Sequence, residues 1–150
     1  MKKDNGEAQG YQPVLIALCC TWCAYPAADL AGTVKLSYPI NVRIIRVMCS
    51  GMVHPNVVMD ALTKGADGII ICGCHLTDCH YQTGAEIAER RAGAIKLMLE
   101  DMGLEPERFD FEHISASEAR KFARVMTEKV ARLKELGPSI YKDQSDFKKC

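Results

Sequence analysis

Three short apolar runs in this 150-residue chain each end in cysteine, and that repetition limits what the chain can fold into. Val14 to Leu18 leads into Cys19 and Cys20, Asn41 to Met48 into Cys49, and Ile69 to Ile71 into Cys72 and Cys74. Continuous apolar or β-branched runs of this length read as strands covered on both faces of a parallel sheet. Between them the spacing turns helical. Pro26 with Ala27 to Ala31 predicts a short helix stopped by Gly32, and Pro55, Val58, Ala61 and Leu62 predict a second with Gly65 just past its end. Gly84 to Met102 predicts a third helix with Ile87, Ala94, Ile95, Met98 and Met102 on one face, and Glu86 and Arg90 paired on its surface. Phe109 to Ile114 starts by alternating, as a half-exposed edge strand does. Ser115 and Glu118 then have capping-box spacing ahead of a long helix lined by Ala119, Phe122, Met126, Val130 and Leu133 and ended by Gly137 and Pro138.

Strand and helix in alternation predict an α/β fold: one domain with a parallel sheet of about four strands, helices on both faces, flavodoxin-like or Rossmann-like, in the order 2-1-3-4. The domain is expected over residues 13–137, between a polar N-terminal tail, 1–12, and a polar C-terminal tail, 138–150. Ligands of such sheets sit beyond the carboxyl ends of the strands, at the switch point between strands one and three. That edge would gather Cys20, Cys23, Cys49, Cys74 and Cys79, all expected in loops.

Lysine and arginine balance aspartate and glutamate at 19 each, which is neither the footprint of a nucleic-acid binder nor a membrane-surface patch. Lys2 and Lys3 precede an apolar run, but Asp4 and Glu7 interrupt the approach, and bulky Leu18 before Cys19 does not fit lipoprotein cleavage. No run reaches the roughly 18 apolar residues of a membrane span, so the reading is a cytoplasmic protein. Eight cysteines in a reducing compartment point to metal or redox chemistry rather than structural disulfides.

Cys20-x2-Cys23, Cys74-x4-Cys79 and Cys49 between them fit an iron–sulfur cluster, whose thiolates converge when short loops hold them against an apolar wall. The same spacing leaves open a structural zinc module bridging subunits, or a thiol–disulfide pair at Cys20 and Cys23. Cys19 and Cys72 continue strand runs and read as core residues, and Cys150 in its polar tail reads as a bystander. His54, His75 and His80 fall near the same edge, where they would ligate a metal or hydrogen-bond to its sulfurs. Trp22 reads equally as a shield, a partner contact or a packing residue, and Arg43 and Arg46 read as structural ion-pair formers ahead of carrying charge toward the cluster edge or a partner, and are given no role. There is no glycine-rich phosphate loop after strand one and no nucleophile elbow, so no catalytic residue is expected.

Cys20-Thr21-Trp22-Cys23-Ala24-Tyr25, Ala28-Asp29-Leu30-Ala31-Gly32, and Asn41 through Cys49-Ser50-Gly51 together resemble the delta subunit of methyl-viologen-reducing hydrogenase. Gly65-Ala66-Asp67-Gly68 and Gly73-Cys74-His75 through Asp78-Cys79-His80-Tyr81 extend the resemblance, which covers about residues 13 to 136. Pro26 departs from it, standing where that family would have glycine. The resemblance implies an electron-transfer subunit with one 2Fe–2S cluster, held by four of Cys20, Cys23, Cys49, Cys74 and Cys79. It further implies a relay from hydrogenase or formate dehydrogenase to the flavin-containing subunit of heterodisulfide reductase, within flavin-based electron bifurcation, with no catalysis by the chain itself.

Overall fold

The structure, a computed structural model, describes residues 10–142; residues 1–9 and 143–150, with Cys150 and most of both expected tails, lie outside the described residues. Four strands form one parallel sheet: β1 (Leu15–Cys20), β2 (Val42–Val47), β3 (Gly68–Gly73) and β4 (Phe109–His113). Their order is β2-β1-β3-β4, as the alternation of elements predicts. β1 and β3 are the central pair, and their apolar continuity reflects a helix layer on each face. The helices are α1 (Ala24–Thr33), α2 (Pro55–Thr63), α3 (Gly84–Asp101) and α4 (Ala119–Leu136).

One face of the sheet, through Leu15, Ala17, Cys19, Ile70 and Cys72, packs on α1 and α4; the other, through Leu18, Ile69 and Ile71, packs on α2 and α3. α1 buries only alanines against its face, Ala24, Ala27, Ala28 and Ala31, with partly buried Tyr25 packed beside them, so this helix lies close on the strand ends. α4 supplies the bulk with Phe122, Met126, Val130 and Leu133. Cys19 and Cys72 are register partners, fully buried in this layer.

Three local expectations change. Cys20 is the last residue of β1 rather than part of a loop, because its pairing with β2 continues through Cys20 opposite Val47. α1 runs one residue past Gly32, and the left-handed residue that follows is Lys35 at φ 57°. On α3 the buried stripe is Ala85, Ala88, Ala92, Ile95 and Leu99; Ile87, Ala94 and Met98 are exposed and Met102 only partly buried. The sheet takes the alanine-bearing face because small side chains let the helix N-terminus approach the strand ends, which leaves larger apolar groups outside.

Half of the expected capping box forms. The amide of Ser115 donates to Glu118 Oε2 at 2.8 Å, and His75 Nε2 stands 2.8 Å from the same oxygen. The amide first, then His75, hold the Glu118 carboxyl down to about 2. The Ser115 hydroxyl instead meets Ser117, so the other half is missing.

At the opposite edge of the sheet a buried aspartate closes the fold. Asp67 accepts from the amides of Val14, at 2.8 Å, and Ser139, and from Lys142 Nζ at 2.6 Å. Buried Arg108 donates to the carbonyls of Asp67 and Gly137 and to Glu105. Burial and this carboxylate push the Tyr11 hydroxyl well above its ordinary range.

Candidate metal centre

Each thiol reaches the carboxyl edge of the sheet by a short, fixed piece of backbone. Past Cys20 the chain turns at once: the amide and hydroxyl of Thr21 both donate to the Val47 carbonyl, and Cys23 becomes the N-cap of α1. Cys49 follows β2 and opens a 3₁₀ turn at Ser50–Met52. Cys74 follows β3, where His113 Nδ1 donates to its carbonyl at 2.7 Å. Cys79 follows a second 3₁₀ turn, Leu76–Asp78, and a left-handed residue, Gln82 at φ 65°, turns the chain back toward α3.

The sulfurs fall into two neighbouring groups. Those of Cys20, Cys23 and Cys74 all lie within 4.8 Å of one another, with Cys20 and Cys74 3.8 Å apart. Those of Cys49 and Cys79 meet over Gly84, the first residue of α3. A Cβ there would overlap Cys49 Sγ and stand 3.5 Å from Cys79 Sγ. Gly51 makes a similar approach from the other side, since its Cβ would stand 2.7 Å from the Gly84 carbonyl oxygen. Arg91 of α3 fixes this junction by donating to the carbonyls of Gly51, at 2.7 Å, and Val53.

Backbone amides surround most of the thiols. The backbone amides of Trp22 and Ser50 act to lower the Cys20 pKa, those of Gly51 and Met52 that of Cys49, and that of His80 that of Cys74. The amide of Ala85, in the first turn of α3, donates to Cys79 at 3.4 Å. Hydrogen bonding from Cys23, assisted by the Trp22 amide, lowers the Cys20 pKa to about 5 against the opposing effect of burial. The same bond, together with burial, pushes Cys23 up. Burial raises Cys49 and Cys74. N–H donors aimed at sulfur favour the thiolate that binds metal, and a site with several of them is prepared for negative charge.

The histidines do something other than what their positions suggest. His54 accepts from the Asn56 amide and caps α2, His75 bonds Glu118, and the His80 ring stacks on Trp22 at 3.8 Å. Trp22 is 47% exposed and its Nε1 donates to the Tyr81 hydroxyl, so it belongs to the rim of the site rather than to the core. Arg46 lies over the Tyr25 ring, and Arg43 donates to the Ile40 carbonyl. Gly84, Ser50, Arg91 and His113 carry no sequence signal for a metal centre, because each acts through backbone proximity that appears only on folding.

Beside Cys49 an open cleft of about 470 Å³ is lined by Met48, Met52, Tyr81 and Ile87. Met52, at 70% exposure, and Met48, at 52%, present bare apolar surface to solvent there. Among the described residues no helix is long and apolar enough to cross a membrane.

Comparison with known proteins agrees with this arrangement. The chain is 48% identical over 131 residues to the iron-sulfur subunit of F420-non-reducing hydrogenase from Archaeoglobus profundus, an alignment covering 87% of this chain and 96% of that protein. It is 42% identical over 138 residues to the vhc iron-sulfur subunit of F420-non-reducing hydrogenase from Methanococcus voltae, covering 92% and 96%. It is also 41% identical over 126 residues to a subunit of the ferredoxin:CoB-CoM heterodisulfide reductase of Methanosarcina mazei, covering 84% of this chain but only 16% of that protein. The family described as methyl-viologen-reducing hydrogenase, delta subunit, matches residues 15–137. With that match spanning the whole sheet, the chain belongs to the delta-subunit family of methyl-viologen-reducing hydrogenase.

Proposed function

We propose that this chain is an electron-transfer subunit that holds one 2Fe–2S cluster on four of Cys20, Cys23, Cys49, Cys74 and Cys79. The observation that carries this reading is the convergence of thiols: three sulfurs mutually within 4.8 Å, with two more gathered over Gly84 beside them. The donor set fits the group, since iron–sulfur clusters are bound by thiolates at sites where amide N–H groups and an apolar wall set the potential. When bound, the cluster supplies a one-electron donor and acceptor. The chain's own residues bind it and keep water off it. Ala24, Ala27 and Ala28 back the pocket on one side, Gly51 and Gly84 leave room on the other, and amides of the two short turns and of α3 face the sulfurs.

The place proposed for this subunit is between an electron-input enzyme, hydrogenase or formate dehydrogenase, and the flavin-containing subunit of heterodisulfide reductase, in the cytoplasm and in the service of electron bifurcation. Two features support it. Trp22, Met48, Met52 and Tyr81 are exposed around the thiols, and an apolar rim of this kind marks a protein contact. In the Methanosarcina mazei heterodisulfide reductase, a similar segment is part of one longer polypeptide, which favours docking between the two parts. A free thiol oxidoreductase is disfavoured, because Cys20, the low-pKa thiol of the Cys20–Cys23 pair, is 1% exposed and no disulfide can reach it.

The relay is tested by mixing purified hydrogenase and heterodisulfide reductase with and without the iron-loaded chain, and following hydrogen-dependent reduction of the reductase flavin. Reduction is expected only with the loaded chain. Equal rates with the metal-free chain would exclude the relay.

A further inference from the structure

The end of β3 is tied to β4 and α4 one residue at a time. Strand pairing closes at Gly73, opposite His113, and the Gly73 carbonyl accepts from the Ile114 amide at 2.9 Å. The next carbonyl, that of Cys74, lies beyond the last strand residue and accepts from a side chain instead, His113 Nδ1 at 2.7 Å. A carbonyl oxygen can only accept, so Nδ1 carries the proton of this bond. One residue further, His75 places Nε2 2.8 Å from Glu118 Oε2, the oxygen that the Ser115 amide also holds. Gly73, Cys74 and His75 are thus fixed in turn by the segment from His113 to Glu118.

The middle tie is the one that bears on the thiols. Cys74 is the first residue out of the sheet, and its sulfur lies 3.8 Å from Cys20 Sγ and within 4.8 Å of Cys23 Sγ. Past the last ladder bond a peptide plane is free to turn unless another donor takes its carbonyl. The ring that supplies this donor is itself held, since Phe111 meets it edge-on at 4.9 Å and His75 stacks on it at 5.7 Å.

We infer that His113 is a positioning residue for the metal centre: its Nδ1–H holds the Cys74 carbonyl on the β4 side, which keeps the Cys74 thiolate directed at Cys20 and keeps the negative end of that carbonyl paired rather than presented to an anionic cluster. This rests on the cluster reading above. His113 acts through Cys74, not through a contact with iron.

The test separates the donor from the ring. Asparagine carries an N–H on Cγ where histidine has Nδ1, so His113→Asn keeps a donor and loses the ring, whereas His113→Phe keeps a ring and loses the donor. His113→Leu is a second variant without the donor. The full chain is prepared anaerobically in each form, and four quantities are measured: iron retained against a chelator, the electron paramagnetic resonance spectrum after reduction, the midpoint potential, and the urea midpoint of the metal-free chain. H113F and H113L are expected to hold iron about 10–100-fold more weakly, as loss of an outer partner of a metal ligand does, and their remaining iron to show a changed spectrum and potential. H113N is expected to stay near wild type in all three, and every variant to unfold close to the wild-type urea midpoint when metal-free. Wild-type iron retention and spectrum in H113F, or an H113N as impaired as H113F, overturns the inference and leaves the cluster reading standing. Variants without the donor that fail to fold in the absence of metal overturn it as well, because the histidine then serves the fold. A wild type without iron removes both.

Discussion

Gly84→Ala is expected to empty the metal centre while leaving the fold at least as stable as before. The new Cβ would overlap Cys49 Sγ, so the cysteine must rotate away and take its thiolate from the site. The backbone cannot yield, because Gly51 already packs against the Gly84 carbonyl from the other side and Arg91 pins that turn. Displacing the group that positions a ligand costs about 10–100-fold in metal affinity. Gly84 has ordinary helical geometry at the first position of α3, where alanine is a better helix former than glycine by up to about 1 kcal/mol. Iron content should therefore fall at least about tenfold at limiting iron while the urea midpoint of the metal-free chain holds or rises. A folded variant with full iron content would show that Cys49 is the spare thiol or is not held at that point.

Asp67→Ala is expected to act in the opposite sense, on the fold and not on the site. Its carboxylate is fully buried and serves two amides and the Lys142 ammonium, at the edge of the sheet away from the thiols. Removing it leaves the Val14 and Ser139 amides unpaired and takes a carboxylate away from Lys142. Each amide left without its acceptor in a buried setting costs about 1–3 kcal/mol, and Lys142, with 30% of its side chain exposed, adds less. Urea unfolding should show a loss of that size, and the iron-bound spectrum of the remaining folded protein should match the wild type. The Gly65-Ala66-Asp67-Gly68 segment, prominent in the family resemblance, is on this account a structural clasp between β1, β3 and the segment after α4.

The fold was largely legible in the sequence because β1 and β3 carry their burial on both faces as unbroken apolar runs, and because prolines and glycines mark the helix ends. α3 shows where that reading fails. Ile87, Met98 and Ala94 form a reasonable apolar stripe, but the sheet prefers Ala85, Ala88 and Ala92, since only a narrow face brings the helix terminus up to Cys79. Side-chain size, not hydrophobicity, chose the buried face. The five edge cysteines were legible for a related reason: parallel strands deliver their next residues to one edge whatever the loops do. How those thiols group was not legible, because it depends on the close approach of Gly51 and Gly84 beside Cys49 and Cys79 and on the convergence of Cys20, Cys23 and Cys74. The histidines were misleading for the same reason, as adjacency in sequence placed His75 and His80 beside thiols while their side chains turned to Glu118 and Trp22.

The central claim is that these thiols hold an iron–sulfur cluster of the two-iron type. The direct measurement is iron, acid-labile sulfide and zinc per chain in anaerobically purified protein, with the electron paramagnetic resonance spectrum before and after reduction. The account predicts about two irons and two sulfides per chain, with a spectrum silent when oxidised and a single spin-one-half signal when reduced. Zinc in place of iron, with no labile sulfide and no signal on reduction, would contradict it.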